Sequence, residues 1–208
     1  MIKFDTKIDA VLEKYHERIA AETLIMQALP IEKGMARRDE FLLSVGLETA
    51  IFINNLAKSA KSKTILEVGM SYGYSTIWLA EAARANGGRV ISLENSPQKA
   101  AYARQQIEDA GLSDFVDIRL GDALESLALA SESYDFVLLD IWKELYVSCF
   151  DLFFPKLNKG AWVIGDNMIF PPNAHVEATA YRNRIRETDA FDTVLLPIGS
   201  GIETSFYR

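Results

Sequence analysis

Apolar residues three and four apart open the chain. Ile8, Val11, Leu12, Tyr15 and Ile19 recur at that spacing, which predicts an amphipathic helix, and Pro30 marks its latest possible end. A second helix is expected over about Leu47 to Lys61, with Ala50, Ile51, Ile53, Asn54 and Leu56 on its faces. From Lys63 onward short apolar runs alternate with longer helical stretches. Strands are predicted at 64–69, 89–95, 116–122, 134–140 and 160–166, and helices at 71–88, 96–112, 123–130 and 144–157. Ser96 caps the 96–112 helix, Pro97 opens it and Gly111 stops it. Strands alternating with helices imply a three-layer α/β arrangement with a mostly parallel sheet.

The carboxyl-terminal stretch "DTVLLPIGSGIETSFYR" breaks that rhythm. Its two apolar runs are separated by "GSG", a connection too short for a parallel crossover, so they must form an antiparallel hairpin. Pro197 makes the first of those strands irregular at its end. The expected fold is therefore α/β: a three-layer, Rossmann-like sheet of seven strands, mostly parallel, with a terminal hairpin and added amino-terminal helices. One domain of 1–208 is expected, divided into a helical cap or lid (1–62) and a ligand-binding core (63–208).

Composition narrows the function classes. A net charge of -7 argues against a nucleic-acid partner, because such proteins concentrate positive charge to neutralise phosphates. Lys33, Arg37 and Arg38 form the one visible basic cluster, and Asp39 and Glu40 follow at once. No apolar run reaches the length of a membrane span, and the amino terminus lacks the apolar block of a signal peptide. The single Cys149 sits in the run "SCFDLFF" and reads as a reduced, buried residue. Together these point to a water-soluble protein of the cytoplasm.

Chemistry gathers where the strands end. In order, those ends carry Glu67–Gly69, Glu94, Asp122, Asp140 and Asp166–Asn167, and open parallel sheets bind ligands beyond the carboxyl ends of their strands. One acid there means a helix cap. Five in one crevice would repel each other without hydroxyls, amines or cations to meet them. The first turn, "EVGMSYGYS", spaces Gly69 and Gly73 as G-x-x-x-G. A pyrophosphate fingerprint would read G-x-G-x-x-G, and Ser71 stands where its second glycine belongs. The turn and Glu67 better suit a cofactor with an ammonium group and no phosphate. Glu94 is placed to accept ribose hydroxyls, a role common to NAD and S-adenosylmethionine sites.

The segments "ILEVGMSYGYSTIWLA", "VISLEN", "RLGDALE", "FVLLDIWKELY" and "VIGDNM", in that order, resemble the class I S-adenosylmethionine-dependent O-methyltransferases. The nearest group in appearance is the metal-dependent catechol and caffeoyl-CoA O-methyltransferases with their bacterial relatives. The resemblance implies that Glu67, Gly69, Ser71, Gly73 and Ser75 hold the methionine part of the cofactor, and that Glu94 with Asn95 holds its ribose. It implies an adenine turn at Asp122 and Ala123, an aromatic boundary at Trp142, and a covering segment at Leu43 and Val45. Asp140, which also borders the cofactor, would join Asp166 and Asn167 in holding Mg²⁺ or another divalent cation. Lys143, in "DIWK", would deprotonate the substrate hydroxyl beside Asp140. The implied partner is a small hydroxylated molecule, phenolic or catechol-like, and relatives of this kind suggest a homodimer. Two departures stand out: Ile141 replaces a polar or aromatic residue, and "MIFPPNAHVEATAYRN" matches no substrate loop.

Plainer readings stand beside these. Asp166–Asn167 would also make an ordinary turn, and Lys143 an ordinary solvated charge beside Glu144. His16 reads as solvent-facing, His175 as an exposed loop residue, and Trp78 and Trp162 as core. Lys33, Arg37 and Arg38 read as a solvated loop. A nicotinamide dehydrogenase is disfavoured by the first turn, and a nucleic-acid methyltransferase by "DIWK" where D/N-P-P-Y would stand. A metal-independent methyltransferase and an inactive cofactor-binding regulator remain alternatives.

Overall fold

A computed structural model describes residues 3–30, 33, 37–171 and 175–208. Helix α1 (Thr6–Ala28) starts where the Asp5 side chain accepts bonds from the Lys7 and Ile8 amides, as a capping carboxylate should. Its buried stripe of Ile8, Val11, Leu12 and Tyr15 joins the same apolar cluster as Ile77 and Trp78. The stripe is thus covered within the chain itself. Helix α2 (Leu47–Ser59) follows and packs against α3 (Tyr74–Asn86).

The strands are β1 (Thr64–Val68), β2 (Arg89–Glu94), β3 (Val116–Leu120), β4 (Tyr134–Leu139), β5 (Leu157–Gly165), β6 (Phe191–Leu196) and β7 (Ile202–Tyr207), and they make one sheet in the order β3-β2-β1-β4-β5-β7-β6. The first five run parallel, and β7 is antiparallel to both β5 and β6. The mixed sheet and terminal hairpin match the expectation. Helices α1 to α3 and α4 (Pro97–Asp109) cover one face. The other face carries α5 (Ala123–Leu129), α6 (Tyr146–Phe153) and α7 (His175–Glu187). Strand order reverses between β1 and β4, so the crevice at their carboxyl ends is where a ligand belongs.

Several element boundaries differ from the expected ones. The helix predicted at 144–157 is only α6, flanked by 3₁₀ turns at Lys143–Leu145 and Phe154–Lys156. Pro155 explains the early end, because its ring cannot continue an α-helix. β5 begins at Leu157, before the predicted 160. Helix α7 lies in the stretch that matched no loop. It buries only Ala178, Tyr181 and Ile185, too sparse a stripe for periodicity to declare. Tyr181 packs on Tyr146 and Phe150, and Arg182 and Arg186 pair at 2.7 and 2.6 Å with Glu203 of β7, which is wholly buried. Trp162, expected in the core, is half-buried and packs on Phe206.

Candidate active site

Gly69 follows β1 and Asp140 follows β4, side by side at the point of reversal. The Asp140 amide donates to the Val68 carbonyl at 2.9 Å, and the Asp166 amide to Leu139 at 3.1 Å. Gly69 has φ +96°, and a Cβ there would lie 2.0 Å from the Asp140 carbonyl oxygen. Only glycine fits. Ser71 turns the chain through the left-handed region at φ +49°, and α3 then starts at Gly73. The crevice so made is lined by Gly69, Met70, Ser71, Tyr72, Tyr74, Ser75 and Asp140 on one side and by Leu42, Leu43, Ser44 and Val45 on the other.

Ser75 lines that crevice, but Glu67 lies behind it and is completely buried. The Glu67 carboxylate accepts bonds from Ser75 Oγ and Thr76 Oγ1, both at 2.6 Å, and from Ser92 Oγ. Burial nevertheless pushes its carboxyl up to about 7, against the pull of the three hydroxyls. Glu94 accepts from the amides of Ser71, Asn95 and Ser96 at 2.7, 3.0 and 2.8 Å. It therefore ties the first turn to the start of α4. Asp122 caps α5, accepting from the Glu125 amide at 3.0 Å, and Ala123 opens that helix.

Beyond the ends of β4 and β5 the structure brings together Asp140, Lys143, Asp166 and Asn167. Asp166 is fully buried and neither of its oxygens has a hydrogen-bond partner. Burial first, and then the Asp140 charge, push its carboxyl up to about 8. The neighbouring Asn167 amide and Lys143 oppose that shift without making a bond of ordinary geometry. Burial also raises Asp140, with Lys143 opposing, and lowers Lys143. The Lys143 ammonium donates to Asn167 Oδ1 at 3.2 Å, to the Ile141 carbonyl at 3.3 Å and to the Tyr146 hydroxyl at 2.6 Å. Asn167 holds its side chain there from a left-handed backbone, φ +53°. Among the described residues no three His, Cys, Asp or Glu side chains gather as a cation cage. The set here is two carboxylates and an amide, and an orphaned buried carboxylate among oxygen donors fits a hard cation.

A family model described as a methyltransferase domain matches residues 66–168. Catechol O-methyltransferase of Niastella koreensis is 37% identical over 131 residues, covering 61% of this chain and 59% of that protein. The enzyme of the same name from Mycobacterium tuberculosis is 35% identical over 128 residues, covering 61% and 58%. A solved O-methyltransferase from Bacillus cereus, in complex with SAH, superimposes with a TM-score of 0.78 and 27% identity over 100% of this chain and 93% of that one.

The chain is similar, over these stretches, to class I S-adenosylmethionine-dependent O-methyltransferases.

It matches under two thirds of the length of the curated relatives named above. In this chain Leu43 and Val45 line the crevice, while Trp142, 42% exposed, is not among the residues that line it. Sequence reasoning did not single out Tyr146 or the wall residues Leu42, Ser44, Met70, Tyr72 and Tyr74. Tyr146 is three residues beyond Lys143, a helical spacing that offered a signal. His16, expected in solvent, is partly buried and bonded to the Tyr74 hydroxyl at 3.0 Å. His175 is exposed, and its Nε2 meets the Ile169 carbonyl at 2.7 Å. No helix among the described residues is long and apolar enough to cross a membrane.

Proposed function

We propose that this protein transfers the methyl group of S-adenosylmethionine to a hydroxyl of a small phenolic or catechol-like molecule, assisted by a divalent cation such as Mg²⁺. The two partnerless oxygens of buried Asp166 carry the metal part of this reading. Asp140, Asp166 and Asn167 would hold the cation, leaving open positions for substrate oxygens. Gly69, Ser71, Gly73 and Ser75 would hold the methionine part of the cofactor, with Glu67 fixing the Ser75 hydroxyl from behind. Glu94 and Asn95 would serve the ribose, Asp122 and Ala123 the adenine end, and Leu43 and Val45 the cover.

When bound, the sulfonium supplies an electrophilic methyl group and the cation supplies charge that favours an ionised oxygen. A phenol near pKa 10 is mostly protonated at neutral pH, so a base is needed. Burial lowers the pKa of Lys143, which brings its neutral amine within reach to take the hydroxyl proton at Nζ. Leu43, half-exposed in the lining of the crevice, offers apolar surface there, which suits a flat ring. The test is a methyl-transfer screen over catechols, hydroxycinnamates and flavonoids, with Mg²⁺ and with a chelator. Product that forms only with the cation is expected; equal rates in both arms overturn the metal assignment.

A further inference from the structure

The segment from Phe41 to Val45 covers the crevice without regular structure of its own. Leu43 even lies in the left-handed region, at φ +45°, which a branched side chain adopts reluctantly. Backbone polar groups must be satisfied by something. The Leu42 amide donates to Glu22 Oε2 of α1 at 2.7 Å, and the Leu42 carbonyl accepts from Ser71 Oγ at 3.2 Å. The peptide units on either side of Leu42 are therefore pinned by side chains from elsewhere in the chain.

Glu22 is itself held. Its Oε1 accepts from Arg18 Nε at 2.6 Å, one helical turn earlier on α1, and the two side chains are only 15% and 24% exposed. The Arg18 guanidinium lies over the rings of Tyr72 and Tyr102, 4.2 and 4.9 Å from their centroids. It also donates to the Glu40 carbonyl at 3.3 Å. Tyr72 belongs to the crevice wall and donates through its hydroxyl to the Asp39 carbonyl at 3.1 Å. The Arg18–Glu22 pair thus touches the helix, the cover and the Gly69–Gly73 turn together.

We propose that Glu22, oriented by Arg18, is a positioning residue that sets the Leu42–Val45 backbone over the cofactor crevice. This rests on the assignment of that crevice to S-adenosylmethionine. The role is to preorganise the cover before the ligand arrives, so that little ordering remains to oppose binding. Charge-assisted acceptance by a carboxylate suits it better than a neutral acceptor.

The test uses the full chain and S-adenosylhomocysteine as probe, by calorimetry, together with hydrogen exchange of the ligand-free protein. Glu22→Ala is expected to raise Kd about tenfold, as the loss of one ordering bond should. The KM for S-adenosylmethionine rises similarly while kcat at saturation changes less than about twofold. Glu22→Gln keeps an acceptor oxygen and recovers most of the affinity. In the ligand-free Glu22→Ala protein, amides of 41–45 exchange faster while those of β1 and β4 do not. If Glu22→Ala fails to fold, Glu22→Met, which keeps the length of the side chain and lacks the acceptor, decides: faster exchange at 41–45 supports the role and unchanged exchange overturns it. Wild-type protein that does not bind the probe overturns the crevice assignment and this inference with it. Wild-type binding that Glu22→Ala leaves unchanged overturns only the role of Glu22.

Discussion

The Tyr146 hydroxyl accepts a 2.6 Å hydrogen bond from the Lys143 ammonium. The same hydroxyl has one proton to give, which it directs at the Leu139 carbonyl at 2.7 Å, with the Asp166 carbonyl at 3.1 Å. Lys143 is thereby tethered through one buried side chain to the ends of both β4 and β5. That tether fixes where the amine stands relative to Asn167 and Asp166.

Tyr146→Phe should therefore loosen Lys143 and leave buried carbonyls short of a donor. Such a loss costs about 1–3 kcal/mol, which lowers Tm by roughly 2–4 °C per kcal/mol in a chain of this size. Turnover is expected to fall more than affinity for the cofactor, because the phenol ring edge leaves the crevice wall untouched. Thermal denaturation with parallel kcat and Kd measurements checks both parts; full turnover in a destabilised variant would show that the tether serves the fold alone.

Asp166→Ala separates the metal from the cofactor. It is expected to abolish turnover and change cofactor Kd by less than about threefold, roughly 0.6 kcal/mol. In chelator the variant should be no less stable than wild type, since it removes two buried oxygens without partners. Added Mg²⁺ should raise the wild-type Tm, as any ligand bound only by the folded state does, and leave the variant unmoved. A Tm response to Mg²⁺ equal in both proteins sinks the assignment.

Much of this arrangement was legible in the sequence because parallel strands punctuate themselves. Each apolar run ends at a polar residue, so Glu94, Asp140 and Asp166 could be placed at one edge before any geometry was known. The terminal hairpin followed from a connection too short to cross over. What was not legible depended on distant pairings. Helix α7 is held by Arg182 and Arg186 against Glu203, a pairing across about twenty residues that no local period encodes. Asp122 shows the opposite limit, since its position at a strand end is equally that of a helix cap, and its side chain accepts the cap bond from the Glu125 amide. His16 misled because a helix rich in charge still turns one side toward Tyr74.

Gly69→Ala tests how tightly the two strand ends are fitted. The added carbon would stand 2.0 Å from the Asp140 carbonyl oxygen at a backbone angle of φ +96°. Both the clash with backbone and the strained angle oppose it. A loss of more than about 3 kcal/mol in stability is expected, with cofactor binding undetectable in whatever folds. Urea unfolding measures the first and calorimetry the second. Near-wild-type stability would mean that the Asp140 peptide can shift, and that the crevice is softer than this packing describes.

Glu67 gives a pH dependence whose sign is fixed by its burial. Its carboxyl stands at about 7 in the fold against an ordinary 4.5. Between those values the folded protein holds a proton that the unfolded chain has released, so stability falls as pH rises. The loss is absent below about 4.5 and complete above about 7, and amounts to on the order of 3 kcal/mol. Glu67→Gln cannot titrate, and its amide can donate to hydroxyls of Ser75, Thr76 or Ser92 that also act as acceptors. The variant should therefore match or trail wild type near pH 5, gain on it toward pH 7 and hold that gain above that pH. Urea midpoints of both proteins at half-unit steps of pH give the difference directly, and parallel curves across that range would mean that Glu67 stays ionised among its three hydroxyls.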